Sequence, residues 1–253
     1  MSETPARDWD AATYDRISSP QQQWAAEQLD GLELAGDETV LDAGCGSGRV
    51  TLELCERVPR GTVYAVDAAP SMVAHTQRAL GDRVTALCQD IAELTLPEPV
   101  DLIFSNATFH WVPDHVALFA ALQRNLKPGG RLVAQCGGHG NIESVRAAAE
   151  RTMAREPFAA HFAGWPRPWN YAAPDETAQR LARAGFTEID TWLEERPTPM
   201  QEGRRFLETV ILVRHLDPLP SELRDPFVDE VIGRLSQPPV FDYVRLNMRA
   251  RRA

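Results

Sequence analysis

The segment Val40 to Arg49 reads Val-Leu-Asp-Ala-Gly-Cys-Gly-Ser-Gly-Arg, and it constrains the fold more than any other stretch of the chain. An apolar strand runs into three alternating glycines, Gly44, Gly46 and Gly48, and an amphipathic helix begins near Arg49. A glycine turn between a parallel strand and a helix lets a ligand approach the backbone where a side chain would block it, at the positive end of the helix dipole. The dinucleotide-binding pattern is G-x-G-x-x-G; here the third glycine comes one residue early and position 49 is arginine, so the loop departs from that pattern.

The surrounding chain supplies the sheet that such a loop requires. Strands are expected at Thr39–Ala43, Thr62–Val66, Val84–Cys88, Val100–Ser105 and Arg131–Cys136, each a short apolar run as expected of parallel strands covered on both faces. Helices are expected at about 49–58, 71–80 and 114–126, the last stopped by Lys-Pro-Gly-Gly. Repeated strand–helix–strand units predict an α/β fold with a doubly wound, mostly parallel sheet. Residues 11–35 read as largely helical, with Trp24, Ala25 and Leu29 on one side. Residues 141–172 carry a helix and then an aromatic, proline-rich stretch from Phe158 to Tyr171. A helix at about 174–184, a strand at Phe186–Leu193, helices at 201–214 and 221–235 and a strand at Val240–Met248 follow. The 253 residues are expected to form one domain: a helical lid (1–38), a core (39–137), a variable cap (138–173) and a C-terminal part completing the sheet (174–253).

Composition narrows the function. A net charge of −10 disfavours a nucleic-acid substrate, which needs clustered positive charge. The one lysine, Lys127, sits in the Leu-Lys-Pro-Gly-Gly turn, so neither a phosphate-loop lysine nor a Schiff-base lysine has a good candidate. Cys45, Cys55, Cys88 and Cys136 form no C-x-x-C pair and read as reduced, buried thiols of a cytoplasmic protein. Histidine spacing suggests no metal site, and neither a signal core nor a membrane span is expected.

In an open parallel sheet, ligands bind beyond the carboxyl ends of the strands. Four successive strand ends are polar: Asp42 with Gly44 and Gly46, then Asp67, Asp90, and Ser105-Asn106. Asp67 follows the glycines by about 20 residues, the spacing of a ribose-binding carboxylate. Each has a plainer reading: Asp42 as a brace of the loop, Asp67 and Asp90 as helix N-caps, Asn106 as a turn former. Cys45 reads as a small loop residue.

With those residues in place, the chain resembles the class I S-adenosylmethionine (SAM) methyltransferases over nearly its whole length. The resemblance rests on Leu41 to Gly48, Val66-Asp67-Ala68-Ala69-Pro70-Ser71-Met72, Cys88-Gln89-Asp90-Ile91 and Leu126 to Leu132. Ser105-Asn106-Ala107-Thr108-Phe109-His110-Trp111-Val112-Pro113-Asp114 makes it similar to the trans-aconitate and malonyl-carrier-protein methyltransferase branch. It implies a seven-stranded Rossmann-like sheet whose last strand runs antiparallel. It also implies SAM as cofactor with no metal: the methionine part at Gly44 and Gly46, the ribose at Asp67, the adenine beside Ala68, Met72, Asp90 and Ile91, and Asn106 near the sulfonium. Tyr14, Gln22 and Trp24 are candidates for a lid over the cofactor.

The implied reaction is methyl transfer to a small organic acid, at a carboxylate oxygen, or to a carrier-bound acyl group or another small molecule. His110 is a candidate general base; the competing reading has His110 and Trp111 pack the mouth of the site. Trp165, Arg167 and Trp169 either roof a planar acceptor, with Arg167 facing its carboxylate, or belong to a satellite core. A SAM-binding regulatory protein and a nicotinamide-dependent oxidoreductase are the other readings, the latter opposed by the glycine spacing. Whether the protein is a monomer or a homodimer stays open.

Overall fold

The computed structural model describes residues 19–199, 203–236 and 240–253. Tyr14 lies outside the described residues. Among the described residues seven strands form one sheet: β1 (Thr39–Ala43), β2 (Thr62–Asp67), β3 (Thr85–Cys88), β4 (Val100–Asn106), β5 (Leu126–Gly137), β6 (Phe186–Pro199) and β7 (Val240–Arg252). Their order is β3-β2-β1-β4-β5-β7-β6. The strands from β1 to β5 are parallel, and β7 runs antiparallel between β5 and β6. Strand order reverses between β1 and β4, which places the ligand crevice at their carboxyl ends.

The helices are α1 (Ser19–Asp30), α2 (Arg49–Arg57), α3 (Pro70–Leu80), α4 (His115–Asn125), α5 (Glu143–Met153), α6 (Pro174–Arg183), α7 (Gly203–Phe206) and α8 (Ser221–Gly233). Asp114 starts α4 by accepting the amides of Val116 and Ala117 on its carboxylate. One core, around Leu41, Ile103, Phe119 and Leu132, covers one face of the sheet; another joins Ala25 and Leu29 of α1 to Leu54 and Phe104. A third cluster brings Trp24, Val145, Phe158, Phe206 and Phe227 together away from the glycine loop.

Six sequence expectations need correction; of these, the strand expected at Arg131–Cys136 begins at Leu126 and ends at Gly137, and the strand expected at Val240–Met248 runs on to Arg252. The strand expected at Phe186–Leu193 continues to Pro199, because β6 is an edge strand and the missing amides of Pro197 and Pro199 need no partner outside it. The helix expected at 201–214 is one α turn followed by a π turn at Leu207–Ile211. The wider turn brings Leu212 onto the buried face already occupied by Leu207 and Ile211. β3, also at an edge, is not a fully covered strand; its ends, Thr85 and Cys88, are exposed. The thiols are all free, yet Cys45 and Cys136 alone are buried, with Cys55 half-buried and Cys88 exposed.

Candidate functional site

The glycine loop is built by its own backbone. The amides of Gly44 and Cys45 donate to the Val66 carbonyl at 2.8 and 3.0 Å, tying the loop to the end of β2. Gly44 has φ +87, and a Cβ built there would lie 2.1 Å from Thr108 Oγ1. Glycine is therefore required both by the left-handed backbone and by the Thr108 side chain, which donates to the Gly44 carbonyl at 3.3 Å.

The aspartates divide into two roles. Asp42 is 2 % exposed and accepts the Thr51 hydroxyl at 2.6 Å. Burial, together with the nearby Asp67 charge, raises its carboxyl to about 7. It sits behind the loop and braces α2 against β1. Asp67 stands at the crevice, where Oδ2 accepts the Gly46 amide at 3.0 Å and Oδ1 the Ala69 amide at 2.9 Å. Burial raises its carboxyl as well, opposed by those amides. Ala69, not Asp67, is the N-cap of α3. Asp90 is exposed and accepts the Ala92 amide at 2.8 Å, closing a turn that no helix follows. Met72 and Ile91 are buried near these strand ends, while Ala68 is exposed.

At the end of β4, Asn106 Nδ2 donates to the Gln21 carbonyl of α1 at 2.9 Å. Asn106 Oδ1 and Gln21 Oε1 are both buried without a hydrogen-bond partner. Two orphaned acceptors on hydrogen-bonded residues favour a donor-rich ligand group, because an unsatisfied buried acceptor costs about 1–3 kcal/mol. The α-ammonium at the methionine end of SAM is such a group, and the Asp67 carboxylate retains lone pairs for ribose hydroxyls, so the residues fit that cofactor. Gln22 accepts from Arg49 at 2.5 Å. Trp24 is taken up in packing: its ring meets Tyr243 edge-on at 5.1 Å and carries the Arg245 guanidinium at 4.8 Å.

His110 lies on a short 3₁₀ turn, Phe109–Trp111, just past β4. Its Nδ1 accepts the Gly137 amide at 3.2 Å. Burial, with the nearby Arg245 charge, pushes its pKa well below the usual range, so the ring is neutral with its proton on Nε2. In that tautomer it donates a hydrogen bond and has no lone pair left for a proton. Gly137 must be glycine here, since a Cβ would lie 2.6 Å from Tyr171 Cε1 and 2.8 Å from Asn141 Nδ2.

The variable segment folds back over these strand ends. Asn170 donates its amide to the His110 carbonyl at 2.9 Å, and Tyr171 packs on His110 with ring centroids 5.7 Å apart. Trp169 stacks on Tyr171 at 5.6 Å and 11°, and Trp111 lies 6.3 Å from Trp169. Trp165, Arg167 and Trp169 line a cavity of about 380 Å³; His110 and Trp111 are not in its wall. Phe158 and Phe162 belong to the third core cluster. Arg167 is an exposed residue whose carboxylate partner is Glu150, at 3.1 Å.

Sequence reading missed Gln21, Asn141, Arg146, His215 and Arg245. The Gly137-Gly138 pair at the end of β5 is the available signal for Asn141, because two glycines at a strand end announce a close approach. The rest depend on tertiary contacts between distant segments. Among the described residues, no cluster of His, Cys, Asp or Glu could hold a metal ion, and no helix is long and apolar enough to cross a membrane.

Residues 40–130 match the methyltransferase domain family. The chain is 36 % identical over 187 residues to a trans-aconitate 2-methyltransferase of Methylobacterium nodulans, covering 74 % of this chain and 67 % of the relative. It is 30 % identical to the enzyme of that name from Acidovorax sp., covering 91 % and 90 %. The crystal structure of the YcgJ protein from Bacillus subtilis shares the fold with a TM-score of 0.65 at 16 % identity, covering 91 % of this chain and 98 % of that one. The chain belongs to the class I SAM-dependent methyltransferases, in the branch that contains the trans-aconitate 2-methyltransferases.

Proposed function

We propose that the enzyme methylates a carboxylate oxygen of a small organic acid. SAM supplies an electrophilic methyl group on a sulfonium. Asp67 would hold its ribose, Gly44 and Gly46 the backbone side of its methionine part, Asn106 and Gln21 its ammonium, and Met72, Asp90 and Ile91 its adenine. A fixed, in-line approach of two reactants provides much of the rate of such a displacement, with effective molarities of ~10⁵–10⁸ M for well-oriented groups.

The observation that carries the carboxylate reading is the Gly137 amide on His110 Nδ1. An alcohol or amine acceptor must lose a proton, and His110 is the nearest candidate base at this strand end. Held as the neutral Nε2–H form, it can orient an anionic oxygen by donation instead. A carboxylate is already nucleophilic and needs nothing more. The names of the relatives make trans-aconitate the first acceptor to try.

The test is incubation with methyl-labelled SAM and a panel of carboxylic acids, alcohols and amines, read by mass spectrometry. Base-labile methyl esters formed from acids alone are expected. Label found on amines or hydroxyls alone overturns the reading. Tight S-adenosylhomocysteine binding with no turnover on any member would favour a regulatory role.

A further inference from the structure

The about 380 Å³ cavity in the variable segment is aromatic and contains a buried histidine that the proposed reaction does not use. His215 is 3 % exposed, and its Nδ1 has no hydrogen-bond partner. Trp165 and Trp169 flank the imidazole, with ring centroids at 4.6 and 5.3 Å, and Phe227 lies parallel to it at 6.3 Å. Burial lowers its pKa to about 3, so the ring is neutral at physiological pH. The charged groups in the wall are Arg146, Arg167 and Glu150; Arg146 is ion-paired with Glu143 at 2.7 Å and Arg167 with Glu150 at 3.1 Å. Arg146 is the inner of the two arginines: its guanidinium lies 5.5 Å above the Tyr171 ring, which in turn packs on His110. The cavity thus has a polar end, where Arg146 and Trp169 border the Tyr171 ring that packs on His110, and an aromatic end around Trp165 and His215.

We infer that this cavity seats the body of the methyl acceptor, and that the acceptor is a planar aryl or conjugated carboxylic acid whose ring packs on Trp165 and Trp169 with a ring hydroxyl against His215. Pockets of this size and lining enclose small ligands whose orientation is set by a few polar groups. A buried polar ring without a partner discriminates strongly between ligands that supply one and ligands that do not. The inference rests on the carboxylate reading above.

Calorimetric titration with 4-hydroxycinnamate and cinnamate, in the presence of S-adenosylhomocysteine, tests it. The hydroxylated acid should bind roughly 5-fold or more tightly, as expected of one net hydrogen bond. His215→Phe should abolish that preference, and Trp169→Ala should weaken both acids about 10-fold or more, while affinity for S-adenosylhomocysteine stays unchanged in both variants. Equal affinities in the wild type, or a preference that survives His215→Phe, overturn the inference. His215-dependent binding without ester formation, in an enzyme that esterifies trans-aconitate, overturns the acceptor assignment. Ester formation on no acid at all would instead remove the carboxylate reading.

Discussion

The two ends of the crevice are made in different ways. The proposed cofactor end is a run of strand termini: Gly44 and Gly46 just after β1, Asp67 as the last residue of β2 and Asn106 as the last residue of β4. The proposed acceptor end is assembled from segments distant in sequence, with Arg146, Trp169 and Tyr171 from the cap and its helix α5 and His215 from beyond the π turn. The first is fixed by local geometry and tolerates little change. The second is fixed by side-chain packing, so it can be altered without disturbing the fold.

The contrast is broken most directly at Asp67. Asp67→Ala removes two loop hydrogen bonds and the proposed ribose acceptor; charged hydrogen bonds contribute about 1.5–3 kcal/mol each. Affinity for S-adenosylhomocysteine should fall about 100-fold or more by calorimetry; a loss under about 5-fold would remove Asp67 from the site. Gly44→Ala drives a methyl into Thr108 and strains a left-handed residue, a combined destabilisation of about 2–4 kcal/mol. Thermal unfolding should register it, and adding Thr108→Ala should restore part of the loss. If it restores nothing, the close approach is not what requires glycine.

Asp42 gives a smaller effect that depends on pH. Its folded carboxyl is raised to about 7 from an ordinary value of 3.8. A raised group contributes stability that is fully present below the unfolded pKa and is lost as pH rises through the folded one. Between pH 4 and 7 each unit should therefore remove up to ~1.4 kcal/mol through this group. Asp42→Asn should flatten the melting temperature across that window, leaving the slope due to Asp67. An unchanged slope would contradict the buried carboxylate. The mildest effect is expected at His110. If it donates rather than accepts, His110→Ala should lower turnover less than about 10-fold and leave the pH profile unchanged, whereas loss of a general base costs about 10²–10⁴-fold.

The same contrast explains what could be read from the sequence. β1 was legible to the residue, and β2 and β4 to within one residue, because their apolar runs end at glycine or a polar residue, and the loop carries its ligand preference in its own spacing. Asp42 illustrates the limit: its position names it, but only the fold turns it inward onto Thr51. The role of His110 was undecidable from sequence, because it depends on the Gly137 amide arriving from another strand. His215 gave no signal at all, since its surroundings come from residues 50 and 46 positions upstream, Trp165 and Trp169, and from Phe227 in α8.

The prolines at the end of β6 have a consequence outside the crevice. An exposed strand edge offers unpaired amides and carbonyls to any passing chain and so invites aggregation. On β6, Pro197 and Pro199 remove donors from the outermost strand, and Glu194, Glu195 and Arg196 put charge along it. The opposite edge is guarded differently: β3 has four residues, too short to template another strand. A sheet of seven strands thus ends in one edge that is chemically blunted and one that is simply brief, and neither invites a second copy to continue it.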